Sequence, residues 1–344
     1  NTLKEAFAAS TVKGELKSQY HQQEMEDGTN SSIFVNGGNL SLKTGSFNGL
    51  TAGVTFQTSH VASDDESNTF YDATMDASGS VMSEAYLAYT LNNTTAKIGR
   101  QYISTPLVAG SGSRLIKQSF EAYVLVNTDL PDTTLVAAYV NKFQGRTDGN
   151  GAVGTFDDYQ DGAYTLYAKN TSIENLSIRA QYAVGKEETG KDDKYTFADV
   201  DYKLNPVTIS AQAFSSDENG NSDKGSLYGL KVAGKAGMVS LMAAYTTTGD
   251  KVAASTGIGS GADIADPLQG GGTSKEVDTN AYKVSASTKL MDIGLALTYG
   301  SYDHKADNTK DTATNLAVSY SFNKETSISV KHSVYGGDSA QDYR

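Results

Sequence analysis

Hydrophobic and polar residues alternate along most of the chain after Ser10. In one run, Val207 and Ile209 alternate with Thr208 and Ser210. A period of two is typical of β-strands, because successive side chains point to opposite faces of a sheet. Most of these runs are about 9–11 residues long, the length with which a tilted strand crosses a bilayer. The pattern predicts seventeen strands, at 11–21, 34–45, 49–60, 83–91, 95–102, 119–127, 133–142, 162–170, 175–185, 194–203, 206–215, 225–235, 238–248, 279–289, 292–302, 312–321 and 326–335.

The connections between these strands alternate in length. Tight turns such as Asn92-Asn93-Thr94 and Ala236-Gly237 follow every second strand, and longer polar segments such as 61–82 lie between them. Outer-membrane barrels have this layout, with turns in the periplasm and loops outside, whereas soluble sandwiches mix their loop lengths. The sequence therefore predicts an all-β, transmembrane antiparallel β-barrel with long extracellular loops. A soluble sheet with one solvated face is the alternative.

Each predicted strand has an apolar face and a face of small polar residues. In a barrel the apolar face contacts lipid and the polar face contacts water inside. The expected lipid-facing positions include Ile209, Leu241, Leu295 and Val318, and the expected water-facing positions include Ser210, Ser240, Thr298 and Ser319.

Composition agrees with a barrel and excludes several other classes. The 344 residues are 38% hydrophobic and contain no run of about 18 apolar residues, so no transmembrane helix is predicted. Tyr (21) outnumbers Phe (11), which suits a membrane interface. The absence of Cys excludes disulfides and thiolate sites and fits an oxidising compartment. A net charge of -12 argues against nucleic acid as a partner.

We expect one barrel domain over residues 1–344, with a short periplasmic helical lead at 2–9. The Gly-rich segment 249–278 has no strand–helix context and is predicted to be a flexible surface loop. Bacterial outer-membrane barrels have an even number of strands, whereas the pattern gives seventeen, so we predict an eighteenth strand. The last would begin near Asp342 and be largely missing from this sequence, which lacks the usual aromatic-ended terminal strand. Over-counting would give sixteen strands instead.

Two stretches of sequence are similar to a known family. The opening LKEAFAASTVKGELKSQY resembles the mature N-terminus of epsilonproteobacterial (campylobacterial) major outer membrane porins. The segment GRQYISTPLV, with SRLIKQSFEAY after it, resembles both that family and the wider OprD-like group of substrate-selective porins. The resemblance implies an 18-stranded pore, often trimeric, that passes small solutes. We therefore expect an exported Gram-negative outer-membrane protein without its signal peptide, in contact with membrane lipids and lipopolysaccharide.

The loop 103–118 is the candidate constriction, because it is short and poor in charge and leaves one strand to return in the next. Arg114 and Lys117 are its cations, and Glu121 is predicted to face the lumen close to Arg114. A permanently charged arginine there would bind carboxylates or repel cations, although it could instead pin the loop to the wall. By strict alternation Arg100 faces lipid, unless Gly99 makes a bulge or Arg100 lies at headgroup level.

Alternation places other charged residues inside the barrel, where they would line a wet pore. These expected pore-lining residues are Lys13, Glu15, Lys17, Lys97, Arg179, Asp199, Asp201, Lys203, Lys283, Lys289 and Lys331. The acidic outer loops and the basic lumen favour opposite ions, and the net charge favours weak cation selectivity.

No sequence pattern indicates catalysis, and we expect no enzyme activity and no required cofactor. Asp157, Asp158 and Asp161 form a weak calcium candidate in a Gly-rich loop. No nucleophile or nucleotide-binding motif is present. The predicted function is an outer-membrane porin for passive diffusion of small hydrophilic solutes and ions. A surface adhesin and a barrel enzyme, for which Asp303 and His304 form the only adjacent acid–base pair, are the alternatives.

Overall fold

The structure of the protein, a computed structural model, describes residues 2–24, 28–65, 71–188, 190–218, 220–259, 263–266 and 273–337. These residues contain twenty β elements, three of which have only two residues each. The other seventeen are long strands. In chain order they are β1 (Thr11–Glu24), β2 (Asn30–Lys43), β3 (Leu50–Asp64), β4 (Ala77–Leu91), β5 (Thr94–Gln101), β6 (Ser119–Asn127), β7 (Thr133–Gln144), β8 (Phe156–Asn170), β9 (Leu176–Gly185), β10 (Asp193–Lys203), β11 (Val207–Asp217), β12 (Gly225–Ala236), β13 (Val239–Thr248), β14 (Thr279–Leu290), β15 (Ile293–His304), β16 (Thr309–Ser321) and β17 (Ser327–Gly337).

Every long strand pairs antiparallel with its neighbours in the chain, so that one sheet runs from β1 to β17 without a crossover. This up-and-down order is the wall of a β-barrel, and it confirms the predicted fold class. Because seventeen long strands are present, the sixteen-strand alternative is wrong. The predicted eighteenth strand near Asp342 lies outside the described residues.

Tight turns join the strands at one end of the sheet, and long connections join them at the other. Several turns contain a residue in the left-handed region, such as Asn92 at φ 50° and Met291 at φ 54°. The described part of the chain has no helix long and apolar enough to cross a membrane.

The predicted helical lead is present as α1 (Leu3–Ala8). A capping box starts it, because Glu5 N donates to Thr2 Oγ1 at 3.2 Å and Thr2 N donates to Glu5 Oε2 at 2.7 Å. Gly45 N donates to Ala6 O at 2.9 Å, which fixes α1 to the end of the sheet that carries the tight turns.

The two faces of the sheet follow the predicted alternation in most strands. Leu241 and Leu295 on the outer face are 46% and 37% exposed, whereas Ser210 and Thr298 on the inner face are 4% and 6% exposed. The apolar outer face has no covering element among the described residues, as expected of a surface that contacts lipid.

One region breaks this rule. In β6, Phe120 (0% exposed) and Ala122 (1%) face inward, while Tyr123 (58%) and Leu125 (46%) face outward. The apolar inner side chains belong to a cluster with Leu107 and other residues of loops inside the barrel. The prediction that Glu121 faces the lumen is therefore wrong, because Glu121 alternates with Phe120 and lies on the outer face.

Candidate functional site

The loop 103–118 folds against the inner face of the barrel and is held by two glutamine side chains of the wall. Leu107 N donates to Gln181 Oε1 at 2.8 Å, and Gln181 lies on the inner face of β9. On the other side Lys117 N donates to Gln57 Oε1 at 2.8 Å, and Gln57 Nε2 donates to Lys117 O at 2.9 Å. Both glutamines are 3% exposed. Buried amides that exchange hydrogen bonds with the backbone in this way fix the loop at a constant distance from the wall.

Apolar side chains hold the same loop. Leu107 and Val108 are fully buried in the cluster that includes Phe120. Leu115 packs against Ile33 and Val35 on the inner face of β2. The loop is therefore fixed by apolar contacts at two places on the inner face of the wall.

Part of the segment 249–278 also lies inside the barrel, so the prediction of a flexible surface loop is wrong for it. Ile258 is 1% exposed, its N donates to Leu107 O at 2.7 Å, and it pairs in parallel with Val108. Gly257 has φ +103°, and a Cβ there would lie 2.4 Å from Leu107 O. Glycine is needed for this close approach of two loops, which explains why a Gly-rich segment is ordered here.

Arg114 lies near the tip of the constriction loop and does not contact Glu121. Its Nη1 donates to Ser113 O at 3.2 Å, and its Nε is buried without a hydrogen-bond partner. Burial lowers the pKa of the Arg114 guanidinium. The predicted proximity of Arg114 and Glu121 is wrong, because Glu121 pairs across the outer face with Arg100 at 3.6 Å.

A second arginine, Arg146, joins Arg114 at the loop tip and was not predicted. Its Nη2 donates to Ser111 Oγ at 2.5 Å and to Ser113 Oγ at 3.1 Å. It belongs to the connection between β7 and β8 and has no neighbour in sequence that marks it. Only the folding of this connection over the loop 103–118 brings the two arginines together.

Lys117 lies at the other end of this tip. Its Nζ is 4.1 Å from the centroid of the Tyr102 ring, a distance typical of a cation–π contact. Its backbone is the part held by Gln57, as described above. The loop thus keeps both of its predicted cations inside the barrel, at different heights.

Arg100 lies on the outer face, and the strand has no bulge at Gly99. Its position at headgroup level stays a prediction. Arg100 pairs with Glu121, and its guanidinium carbon is 4.3 Å from the Phe156 ring centroid. Lys142 and Asp158 extend this outer cluster with a contact of 3.3 Å. The cluster lies at the end of the strands that carries the long connections, near the exposed Tyr123.

All eleven predicted pore-lining residues alternate with exposed apolar neighbours and lie on the inner face. They are Lys13, Glu15, Lys17, Lys97, Arg179, Asp199, Asp201, Lys203, Lys283, Lys289 and Lys331. Several are paired with carboxylates. Lys17 Nζ is 3.1 Å from Glu15, and Arg179 Nε donates to Asp199 Oδ1 at 2.9 Å.

Other inner-face charges were missed by the sequence analysis. Glu84 is 3.8 Å from Lys97 and accepts a hydrogen bond from Thr55 Oγ1 at 2.7 Å. Lys231 lies on the inner face of β12 between the exposed Leu230 and Val232. For Lys231 the alternation with apolar residues was a usable signal in the sequence, whereas Glu84 follows Ser83 at an irregularity of the strand that alternation does not show.

The inner end of the segment 249–278 carries two close carboxyl groups, Asp263 and Asp266. The Ser274 hydroxyl lies 3.0 Å from Asp263 Oδ2 and 2.7 Å from Asp266 Oδ1, and Lys275 Nζ is 3.4 Å from Asp266 Oδ2. Burial and the neighbouring Asp266 raise the pKa of Asp263 to about 7. The two side chains and Ser274 together form a clasp, which we call the Asp263 clasp.

The calcium candidate is not assembled as predicted. Asp157 and Asp158 are successive residues of β8 and point to opposite faces, and Asp158 pairs with Lys142. Asp161 lies beyond an irregularity in β8, where its N donates to Lys186 O at 2.8 Å. Within the described ranges, no group of three or more His, Asp or Glu side chains is arranged to hold a metal ion.

The comparisons with known proteins agree with this architecture. A family model described as Gram-negative porin matches residues 7–339. No curated protein matches the chain in sequence. The crystal structure of Pseudomonas aeruginosa OpdO is similar, with a TM-score of 0.81 and 14% identity, over 99% of this chain and 95% of that one. Acinetobacter baumannii OccAB2 has a TM-score of 0.80 and 16% identity, over 98% and 96%. Pseudomonas aeruginosa OpdQ has a TM-score of 0.79 and 15% identity, over 99% and 96%.

Proposed function

Because the chain belongs to the Gram-negative porin family, we propose that it is a weakly cation-selective channel for passive diffusion of small hydrophilic solutes and ions. The observation that carries this proposal is the loop 103–118, which is tied inside a charged lumen at both Gln57 and Gln181. A tethered loop sets a fixed aperture, and a charged wall keeps the lumen wet.

Weak cation selectivity follows from the distribution of charge. The chain has a net charge of -12. On the inner wall, Lys17 with Glu15 and Lys97 with Glu84 form ion pairs that largely cancel. The other predicted wall residues are mainly lysines, so the proposed cation selectivity comes from the excess of carboxylates outside the inner wall, which attracts cations. Arg114 opposes this effect locally in the constriction.

The remaining parts of the proposal extend the family assignment. We place the protein in the outer membrane, with its signal peptide removed, its outer face against lipids and lipopolysaccharide, and a homotrimer as its assembly. The resemblance to epsilonproteobacterial major outer membrane porins and the capacity of the loops to bind Ca²⁺ stay predictions.

The barrel-enzyme alternative has less support, because its one candidate pair is divided between the two faces. His304 is 3% exposed on the inner face and lies 2.8 Å from Thr279 Oγ1 through its Nδ1. Asp303 is the preceding residue of β15 and points to the opposite face. The two side chains therefore do not form an acid–base pair.

Arg114→Ala tests the proposed function in planar bilayers. An arginine within about 4 Å of a passing cation raises its energy by about 1 kcal/mol even in water, or about fivefold in local concentration. We therefore expect a higher single-channel conductance in KCl and a reversal potential in a salt gradient that shifts toward K⁺.

Lys142→Ala is the matched control, since it removes one positive charge from the outer face. We expect it to leave both quantities nearly unchanged, because screening weakens charges beyond about 8–10 Å. If the Arg114→Ala protein forms open channels whose conductance and reversal potential equal those of the wild type, Arg114 does not lie in the constriction and has only a structural role.

A further inference from the structure

We propose that Arg114 and Arg146 together form a binding site for a phosphate group at the tip of the constriction loop. The proposal rests on the function above, because it is the pore that would bring a solute to this position. It specifies a class of solute, phosphate or a phosphate monoester, that the channel binds on its way through.

The two guanidinium groups come from different loops and converge on the same short turn. Arg114 Nη1 donates to Ser113 O, while Arg146 Nη2 donates to Ser113 Oγ and Ser111 Oγ. The two hydroxyls are 3.1 Å apart. Arg146 therefore lies within hydrogen-bond distance of both hydroxyls, and Arg114 directly follows Ser113, on a segment that Gln57 and Gln181 hold in place.

These two arginines lack the carboxylate partner that the other described arginines have. Arg100 pairs with Glu121 and Arg179 pairs with Asp199. In the part of the chain that the structure describes, neither Arg114 nor Arg146 has a carboxylate within 4.0 Å. The Nε of each is buried and donates no hydrogen bond.

Two half-buried positive charges without a nearby negative charge are energetically unfavourable when no anion is bound. Burial lowers the pKa of both guanidinium groups, and Arg114 lowers that of Arg146 further. A buried donor without an acceptor loses its hydration without replacement. An anion bound at the two guanidinium groups would supply the opposite charge.

The arrangement fits a phosphate better than a carboxylate. A guanidinium group presents a planar fork that bonds two oxygens of one anion. Two guanidinium groups beside the Ser111 and Ser113 hydroxyls match an anion with several oxygens and a double charge. A carboxylate offers two oxygens and one charge, and would leave one arginine uncompensated.

Direct binding is the first test. Purified protein in phosphate-free detergent is titrated with inorganic phosphate at about pH 8, where the dianion dominates, and the ³¹P NMR line width is followed. We expect saturable broadening. Arg146→Gln should weaken the apparent affinity at least about tenfold, because hydrogen bonds to charged groups are the strong ones. Lys142→Gln, the outer-face control, should not weaken it.

Single-channel recording is the second test. Phosphate added to KCl should reduce the wild-type current in a saturable way, and acetate at equal ionic strength should have much less effect. Arg146→Lys, which keeps the charge but not the fork, should retain part of the block.

The two tests separate this proposal from the function on which it rests. If the ³¹P line broadens in a saturable way but the protein conducts no current, the phosphate site is supported and the proposed channel function is rejected. If the protein conducts current but the ³¹P line does not broaden, the channel function is supported and the proposed phosphate site is rejected. Equal effects of acetate and phosphate, or equal loss in Lys142→Gln, would also overturn the assignment.

Discussion

The strands β15 and β6 both alternate, but their inner faces differ. In β15 the apolar set, with Leu295 and Leu297, faces outward. In β6 the apolar Phe120 and Ala122 face inward, while Tyr123 and Leu125 face outward on the same side as the charged Glu121. Alternation identifies two faces in both strands, but it identifies the lipid face only in the first.

The difference lies in what fills the barrel beside each strand. The inner face of β6 is covered by Leu107 and Val108 of one loop and by Ile258 of another. These side chains give Phe120 an apolar environment inside the barrel, comparable to the one that lipid gives Leu297 outside it. Hydrophobicity therefore indicates contact with an apolar partner, and in a barrel with internal loops that partner is not always the membrane.

Phe120→Ala tests this interpretation with the largest expected effect. Removing a fully buried aromatic ring costs about 3–5 kcal/mol when the cavity cannot close. We expect a loss of this size in the free energy of unfolding, measured by urea titration in lipid vesicles. The matched change Leu125→Ala on the outer face should cost much less, since lipid chains can fill the space. Equal losses would show that Phe120 is not covered by the internal loops.

Leu297→Arg tests the other half of the comparison. Arginine on the lipid face costs about 2–4 kcal/mol near the bilayer midplane. We expect the fraction of protein that inserts into vesicles to fall and the free energy of unfolding to decrease accordingly. The neighbouring change Ala296→Arg places the same charge in the lumen and should be tolerated. Similar behaviour of the two variants would contradict the assigned faces of β15.

The Asp263 clasp should make the inner end of segment 249–278 sensitive to pH, with a smaller effect. The pKa of Asp263 is raised from 3.8 to about 7. The stability due to the protonated acid is therefore fully present below 3.8 and is lost as the pH rises through about 7. Above that pH, two ionised carboxylates repel each other and loosen the segment.

We accordingly expect open-channel current noise to increase when the pH is raised from about 5 to about 9. Asp263→Asn should abolish this dependence, while Asp250→Asn, in the same segment but 70% exposed at its side chain, should preserve it. A pH dependence that persists in Asp263→Asn would show that another group controls the noise.

The strands and their pairing were predictable because they depend on local alternation and turn chemistry. All seventeen predicted strands are present, and the range 119–127 is matched residue for residue by β6. The position of the connection 103–118 followed from the spacing of its flanking strands, and its role as a constriction stays a prediction. These features need no knowledge of distant residues.

The composition of the site was not predictable from the same signals. Arg146 and Ile258 reach the loop 103–118 through connections whose path depends on the whole barrel. Gln57 and Gln181 look like ordinary polar wall positions in the sequence, and only the folded loop shows which backbone groups they bind. Glu121 was misplaced for the reason given above, since the inner apolar partner of Phe120 comes from elsewhere in the chain.

The parallel contact between Ile258 and Val108 has a consequence for engineering this channel. Transplanting the loop 103–118 alone from a related pore would leave Ile258 facing a foreign backbone, and transplanting 249–278 alone would strip the cover from Leu107. Grafts that exchange both segments together keep the contact intact. The two loops therefore behave as one exchangeable module, although eight long strands of the wall separate them in the chain.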